Sequence, residues 1–221
     1  MLAAVIFDCD GVLFDSWRAN VAYYNAVLRA MGRPPLDPAE QRHAHVMAAS
    51  QVIDYLFRDD PNARERARRV AGELDYGPFY ELMEPAPRLH ETLGALKRSY
   101  RLAMATNRGR TVAEVVRRFN LDVHIDLAVG ILDVPRPKPH PDMIEKCLAH
   151  FGVAPAAALY VGDAQSDLLA ATAAGVHFVA VGNHFVAVGD HDWAPQRVEQ
   201  LAELPHHIAR LNDSNAGTAA R

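Results

Sequence analysis

Cysteine and lysine are both scarce in this chain. Its 221 residues include only two cysteines, Cys9 and Cys147, so no disulfide framework can hold a fold of this size together. This cysteine usage suits a reducing compartment, and we expect a cytoplasmic protein. Lysine occurs only at positions 97, 138 and 146, whereas arginine occurs twenty times. The role of each lysine is therefore easier to judge than in a lysine-rich chain.

Long apolar segments and an excess of positive charge are also missing. No run approaches the ~20 apolar residues that a membrane-spanning helix requires, and the apolar stretch 3–7 is too short for a signal peptide. The formal net charge is −4, which argues against non-specific nucleic-acid binding as the main task. We therefore expect neither a membrane nor a nucleic acid as a partner.

Short apolar runs, by contrast, recur along the chain and alternate with helical patterns. Continuous apolar runs of this kind are typical of strands in a parallel sheet that is buried on both faces. Glycine follows two of the predicted helices, at Gly152 and Gly175. The alternation predicts right-handed β-α-β units and an α/β fold with helices on both faces of a parallel sheet. The predicted strands are residues 3–7, 102–105, 125–129, 158–161 and 178–181.

Residues 16–83 break this alternation, because they contain helical patterns but no strand-like run. Prolines separate three predicted helices, at residues 16–31, 38–57 and 62–83. A helical block placed after the first strand indicates an inserted all-helical domain. The predicted domains are an α/β core of residues 1–15 and 84–221 and a helical insert of residues 16–83.

One short segment is duplicated. Residues 178–184 and 185–191 are seven-residue copies that differ at one position. Residues 182–184 suit the turn of a β-hairpin, whereas a tandem duplication tolerated near a sheet edge is the simpler interpretation. The period is far too short for a repeat fold.

Polar residues follow four of the predicted strands at the point where each strand ends. Open parallel sheets bind ligands beyond the carboxyl ends of their strands, so these residues are expected to meet at one edge of the sheet. Four carboxylates, a hydroxyl and an ammonium would converge there. The residues are Asp8 and Asp10 after the first strand, Thr106 and Asn107 after the second, Lys138 after the third, and Asp163 and Asp167 after the fourth.

Such a set of side chains is suited to phosphoryl transfer. Closely spaced carboxylates repel one another, and Mg²⁺, which prefers oxygen ligands, relieves the repulsion and attracts phosphate. Asp8 can attack phosphorus and form an aspartyl-phosphate, while Asp10 can protonate the leaving oxygen and later deprotonate a water. Thr106 can donate to a phosphoryl oxygen, and Lys138 can offset charge on the nucleophile and the phosphate. We therefore predict these four residues to be catalytic, with Mg²⁺ as the cofactor.

At these positions the sequence resembles the haloacid dehalogenase superfamily of phosphohydrolases. The resemblance implies a Rossmann-like, doubly wound sheet with a helical cap of the type found in the phosphoglycolate phosphatase and β-phosphoglucomutase branch. It also implies that Mg²⁺ is held by the Asp8 carboxylate, the Asp10 backbone carbonyl and Asp163, with Asp167 acting through water or by orienting Lys138. The matching motifs, in the family's order, are Asp8-Cys9-Asp10-Gly11-Val12, Thr106-Asn107, Lys138-Pro139 and Gly162-Asp163-x-x-x-Asp167.

The resemblance also suggests contacts to the substrate. Relatives often have a basic residue after the second motif, so Asn107 and Arg108 are predicted to bind substrate, together with Arg42 on the insert. A solvated surface position is the alternative for both arginines. Ala164 departs from the family pattern, because many relatives carry serine or threonine there. This departure affects fine geometry and not the reaction class.

Within the family, the residues favour a phosphatase of small phosphate monoesters such as phosphoglycolate. Asp10 is an acid that haloacid dehalogenases usually lack, and the absence of lysine before residue 97 disfavours phosphonate cleavage through a cap lysine. A β-phosphoglucomutase-like phosphosugar mutase is the alternative, and a non-catalytic binding protein on the same fold is less favoured. We expect a small phosphorylated metabolite as the partner of a monomer or small homo-oligomer.

Overall fold

The computed structural model describes residues 2–46, 49–182 and 196–218. Its strands and helices follow the chain in this order: β1 (Ala4–Phe7), β2 (Phe14–Asp15), α1 (Trp17–Ala30), α2 (Pro38–Val46), α3 (Ala49–Leu56), α4 (Pro61–Glu73), α5 (Gly77–Tyr80), β3 (Glu84–Pro85), α6 (Leu89–Lys97), β4 (Arg101–Ala105), α7 (Val112–Arg118), β5 (Leu127–Val129), α8 (Asp142–Phe151), β6 (Ala158–Gly162), α9 (Gln165–Ala173), β7 (His177–Val181), β8 (Gln196–Val198) and α10 (Leu204–Thr218).

Two compact units divide the chain. An α/β unit comprises Met1–Phe14 and Pro85–Arg221, and a helical unit comprises Asp15–Glu84. The short strands β2 and β3 pair with each other and lie where the chain passes from one unit to the other.

A six-stranded sheet in the order β5-β4-β1-β6-β7-β8 forms the centre of the α/β unit. All five neighbouring pairs are parallel. Every residue of β1 is buried, as its continuous apolar sequence requires. On one face of the sheet, Ile6 packs in an apolar core with Met143 from α8 and Ala170 from α9. Burying a side chain of this size stabilises the fold by about 1.5–3 kcal/mol. The predicted α/β fold with a parallel sheet is confirmed.

The strand bounds agree with the predicted apolar runs to within one residue except at β5. This strand begins at Leu127 and not at residue 125. Asp126 explains the late start, because its carboxylate Oδ2 accepts the backbone N–H of Leu102 at 3.0 Å. A side chain thus takes a hydrogen bond that the backbone of a longer strand would accept.

The C-terminal part of the unit adds β8 and α10, which the apolar pattern does not predict. β8 has only three residues, and two of them are exposed. The first copy of the duplicated segment contains most of β7. Its predicted turn after Gly182 and the whole second copy lie outside the described residues.

The helical unit has its own apolar core, formed around Val27, Val52 and Phe57. The prediction of one helix over residues 62–83 is wrong, because α4 ends at Glu73 and a separate short helix, α5, follows. The side chain of Asp75 accepts the backbone N–H of Gly77 at 2.9 Å and stabilises the turn between them. The helix predicted at 38–57 corresponds to α2 and α3, and residues 47 and 48 between them lie outside the described residues.

Candidate active site

Four neighbouring strands, β5, β4, β1 and β6, are followed by the predicted site residues. β1 lies between β4 and β6, and Phe7 of β1 pairs in register with Met104 and with Val161. Because the strands are parallel, the segments that follow them leave the sheet at the same edge. The contacts described below join Asp8, Asp10, Thr106, Asn107, Arg108, Lys138, Asp163 and Asp167 at this edge.

A buried lysine lies at the centre of this site. Lys138 is 3% exposed, and its Nζ lies 2.8 Å from Asp8 Oδ1, 2.7 Å from Asp167 Oδ1 and 3.0 Å from Tyr160 Oη. We call these four residues the lysine cluster. An ammonium has three N–H donors, and the cluster supplies one oxygen for each of them. The position of the lysine is therefore fixed by two carboxylates and one hydroxyl.

Asp167 is fully buried and uses both of its carboxylate oxygens. Oδ1 accepts from Lys138, while Oδ2 accepts the backbone N–H groups of Asp163 at 3.1 Å and Ala164 at 3.0 Å. These backbone groups lie at the start of α9, where helices have unpaired N–H donors. The residue thus caps a helix and orients Lys138 at the same time.

The charges in the cluster shift one another's pKa values. Burial raises the pKa of Asp8 to about 7, Lys138 opposes the rise, and Asp167 and Asp10 add to it. Burial raises the pKa of Asp163 well above its usual value, and Asp167 and Asp8 raise it further. Burial disfavours the charge on Lys138, but Asp167 and Asp8 outweigh it and raise the pKa of that ammonium well above its usual value. The site therefore has more buried carboxylates than its lysine can neutralise.

Two glycines allow the acids to come so close. Gly11 has a positive φ of 75°, and a β-carbon added there would collide with the carboxylate of Asp163. A β-carbon on Gly162 would collide with the side chain of Asp167. Any larger residue at either position must displace an acidic side chain of the site.

Asp10 forms a two-point ion pair with Arg108, which we call the arginine pair. Arg108 Nε lies 2.8 Å from Asp10 Oδ2, and Nη2 lies 2.6 Å from Oδ1. The pair forms because β1 and β4 are adjacent, so that the segments after them lie side by side. Parallel hydrogen bonds of this kind hold the carboxylate in one orientation.

Thr106 and Asn107 have different positions in the site. The Thr106 side-chain oxygen accepts the backbone N–H of Arg108 at 3.2 Å, which leaves its hydroxyl proton as a donor. The Asn107 amide donates to the Lys138 carbonyl at 3.2 Å and accepts the Lys138 N–H at 3.1 Å. Asn107 therefore holds the loop that carries the buried lysine.

The acids can hold a divalent cation. Asp8, Asp163 and Asp167 each offer a carboxylate oxygen, and these oxygens lie within 4.8 Å of one another. Oxygen ligands at this spacing fit Mg²⁺, which keeps several waters of its own. The raised pKa values of Asp8 and Asp163 supply a second reason, because a cation would let both acids ionise. The donor set therefore fits the predicted metal.

One predicted substrate contact belongs to the other unit. Arg42 is an exposed residue of α2 in the helical unit, and its substrate contact stays a prediction. Conversely, Tyr160 is a member of the lysine cluster that we did not predict. Its only signal in the sequence is a hydroxyl within an otherwise apolar strand.

Comparison with known proteins shows the family of the chain. A model of the haloacid dehalogenase-like hydrolase family matches residues 5–181, which is most of the chain. The chain therefore belongs to this family, and it is a hydrolase. The resemblance inferred from the four motifs is confirmed.

Individual relatives show which members of the family the chain is similar to. The chain is 31% identical over 185 residues to phosphoglycolate phosphatase 1 of Pseudomonas aeruginosa, covering 80% of this chain and 68% of that protein. It is 27% identical over 179 residues to pyrophosphatase PpaX of Bacillus cereus, covering 80% and 82%. A solved HAD-superfamily hydrolase of subfamily IA, variant 1, from Geobacter sulfurreducens is 37% identical, with a TM-score of 0.73 and coverage of 93% and 96%. Within the described part of this chain, no helix has the length and apolar character needed to cross a membrane.

Proposed function

We propose that this protein is a Mg²⁺-dependent phosphatase that hydrolyses a small phosphate monoester through an aspartyl-phosphate intermediate. The observation that carries the proposal is the environment of Asp8. Its carboxylate contacts the Lys138 ammonium at 2.8 Å. Asp8 also lies close to Asp163 and Asp167, and we call these three residues the acidic group. The Asp8 carboxylate thus combines three features: it can act as a nucleophile, it contacts a stabilising cation, and it belongs to a candidate metal site.

Asp8 is the nucleophile in this mechanism. Both Lys138 and the backbone N–H of Cys9, at 2.7 Å, contact its Oδ1, which leaves lone pairs on Oδ2. Attack by Asp8 forms the Asp8–phosphorus bond and breaks the bond between phosphorus and the leaving oxygen. Lys138 and the hydroxyl proton of Thr106 stabilise the negative charge on the phosphoryl oxygens. Mg²⁺, when held by Asp8, Asp163 and the Asp10 carbonyl, would supply further positive charge.

Asp10 is the acid and then the base. It donates a proton to the leaving oxygen in the first step, and in the second it takes a proton from the water that attacks phosphorus. The second step breaks the Asp8–phosphorus bond and releases inorganic phosphate. Because both Asp10 oxygens accept hydrogen bonds from Arg108, the arginine pair opens when Asp10 carries the proton. The Arg108 guanidinium then binds a negative group of the substrate.

The substrate class is supported by the relatives. Phosphoglycolate and pyrophosphate, which two relatives are named for, each carry negative charge beyond a single phosphoryl group. We assign Arg108 to that additional charge, with Arg42 as a second contact. In this proposal the helical unit is the cap domain.

The test uses p-nitrophenyl phosphate with wild-type protein and the Asp8→Asn variant. We expect Mg²⁺-dependent hydrolysis by the wild type, loss of activity on chelation, and no activity in Asp8→Asn. Acid quenching should trap labelled phosphate on the wild type and not on the variant. Equal activity of the two proteins would refute the proposal. With β-glucose 1-phosphate, release of phosphate indicates a phosphatase, whereas accumulation of glucose 6-phosphate indicates a mutase.

A further inference from the structure

The lysine cluster contains one residue to which the mechanism above gives no role. Tyr160 lies in the middle of β6, with no exposed surface and apolar neighbours along the strand. Its ring stacks on Phe178, with 6.4 Å between the centroids and 16° between the planes. A phenylalanine would make the same packing without a buried hydroxyl, which costs free energy unless it is hydrogen-bonded. Packing therefore explains the ring and not the hydroxyl.

The partners of the hydroxyl define its direction. Its single proton is donated to the carbonyl oxygen of Ala105 at 2.8 Å, which is shorter than the 3.3 Å to Asp167 Oδ1. The oxygen can then accept a hydrogen bond from Lys138 Nζ at 3.0 Å. Burial and Asp167 raise the pKa of Tyr160 well above its usual value, so the phenol keeps this proton. The hydroxyl thus connects β6, the end of β4 and the buried lysine.

We propose that Tyr160 is a positioning residue whose hydroxyl fixes the Lys138 ammonium against the attacking carboxylate of Asp8. This inference rests on the proposed function, because that function makes Asp8 and Lys138 catalytic. The three ammonium protons have three acceptors, and removal of one of them lets the ammonium rotate away from Asp8. The positive charge stays in the site, so binding is preserved while the rate of attack falls.

The Tyr160→Phe variant removes only the oxygen. We expect kcat for p-nitrophenyl phosphate to fall about tenfold, as misplacement of a catalytic group does, with KM and the half-saturating Mg²⁺ concentration changed less than about twofold. Tyr100→Phe is the matched control, because the Tyr100 hydroxyl accepts a hydrogen bond from Asn212 at 3.2 Å and takes no part in the cluster. An unchanged kcat in Tyr160→Phe would overturn the proposal.

A double-mutant cycle separates positioning from a general structural effect. In the Lys138→Met background, Tyr160→Phe should lower the residual kcat less than about twofold, because the hydroxyl acts through the missing ammonium. An equal loss of about tenfold in both backgrounds would show that Tyr160 acts independently of Lys138 and would refute the inference.

A measurement without catalysis keeps this inference distinct from the proposed function. Labelling with ¹⁵N-lysine gives only three side-chain ammonium groups, and the side chains of Lys97 and Lys146 are 33% and 44% exposed. We expect one exchange-protected signal, from Lys138, with a nuclear Overhauser contact to the Tyr160 ring in the wild type. In Tyr160→Phe its proton exchange should be about tenfold faster or more. If the wild type lacks the protected signal and the contact, the positioning role is wrong. If both are present but phosphatase activity is absent, only the proposed function is wrong.

Discussion

The lysine cluster and the arginine pair both join a cation to carboxylates at the same sheet edge, yet they differ in exposure and in partners. The side chains of Lys138 and Asp167 are 1% and 0% exposed, and the lysine has three acceptors. The side chains of Arg108 and Asp10 are 7% and 24% exposed, and the arginine holds its carboxylate by two hydrogen bonds.

The exposure of the lysine cluster and of the arginine pair determines whether each can separate during a reaction. Removing one partner of a fully buried ion pair leaves an uncompensated charge, so the lysine cluster must stay assembled. Water can reach Asp10, but the Arg108 side chain is nearly buried, so in the proposed mechanism the arginine pair opens when a negative group of the substrate takes the place of Asp10. In the proposed mechanism, one site therefore contains both a permanent frame for the nucleophile and a separable group for the acid–base step.

Breaking the lysine cluster should have the largest effect. In Lys138→Met, Asp8 and Asp167 lose their shared counter-charge, and we expect kcat to fall by about 10²–10³. The unfolding free energy measured in urea should fall by about 3 kcal/mol, because a buried pair is broken. Lys146→Met is the control, since this lysine is 44% exposed and should leave both quantities near the wild-type values. If the Lys138→Met protein is stable and active, the lysine cluster is not a permanent frame and does not differ from the arginine pair in this respect.

Breaking the arginine pair should affect turnover more than Mg²⁺ affinity. In Asp10→Asn we expect kcat to fall by about 10² because the acid–base group is lost. Mg²⁺ affinity measured by calorimetry should change less than about twofold, since only the backbone carbonyl of Asp10 is proposed as a ligand. Asp163→Asn provides the comparison, because it removes a proposed carboxylate ligand. An equal loss of Mg²⁺ affinity in the two variants would contradict the assignment.

The smallest effect concerns the protons that Asp8 and Asp163 bind. The pKa of Asp8 is raised to about 7 and that of Asp163 is raised well above its usual value. Below these pKa values the acids carry protons that must leave when Mg²⁺ binds, so affinity should rise with pH, by about tenfold from pH 6 to pH 8.

The same raised pKa values predict how the stability of the metal-free protein changes with pH. Between the ordinary carboxyl pKa and about 7, the folded protein binds more protons at Asp8 than the unfolded chain, so its stability should fall as the pH rises. Thermal unfolding in the presence of a chelator, compared with calorimetric titration of Mg²⁺, measures both slopes. A Mg²⁺ affinity that is independent of pH would show that Asp8 and Asp163 are already ionised.

The strands and their terminal acids were predictable because they depend on local sequence. A buried parallel strand needs only a few consecutive apolar residues, and residues 158–161 provide them directly. The polar residues that follow each strand are equally visible. Four weak local signals of this kind, combined in order, indicated the edge of the sheet where the site lies.

The remaining contacts depend on the order of the strands in the sheet, and no local sequence pattern indicates that order. Arg108 meets Asp10 only because β4 lies next to β1, although 98 positions separate the two residues. Tyr160 of β6 meets Lys138 because the segment after β5 reaches past the ends of β4 and β1, which lie between those two strands. The aromatic ring of Tyr160 already explained its place in a buried strand, so its hydroxyl was not predicted to belong to the site. The end of α4 was missed although Gly77-Pro78, at the start of α5, marks a break in the sequence pattern. The hydrogen bond from Gly77 to Asp75, which stabilises the turn there, is not visible in that pattern.

The central place of β1 also has a consequence for biosynthesis. Residues 4–7 are translated before both of their partners, which are residues 101–104 and 158–161. On the ribosome this apolar strand therefore emerges with both edges unpaired, and unpaired apolar edges are the surfaces through which chains aggregate. Asp8, the proposed nucleophile, follows β1 and can reach its site only after both partner strands have been made. A chain that ends before residue 158 lacks one of these partner strands and also the acids Asp163 and Asp167.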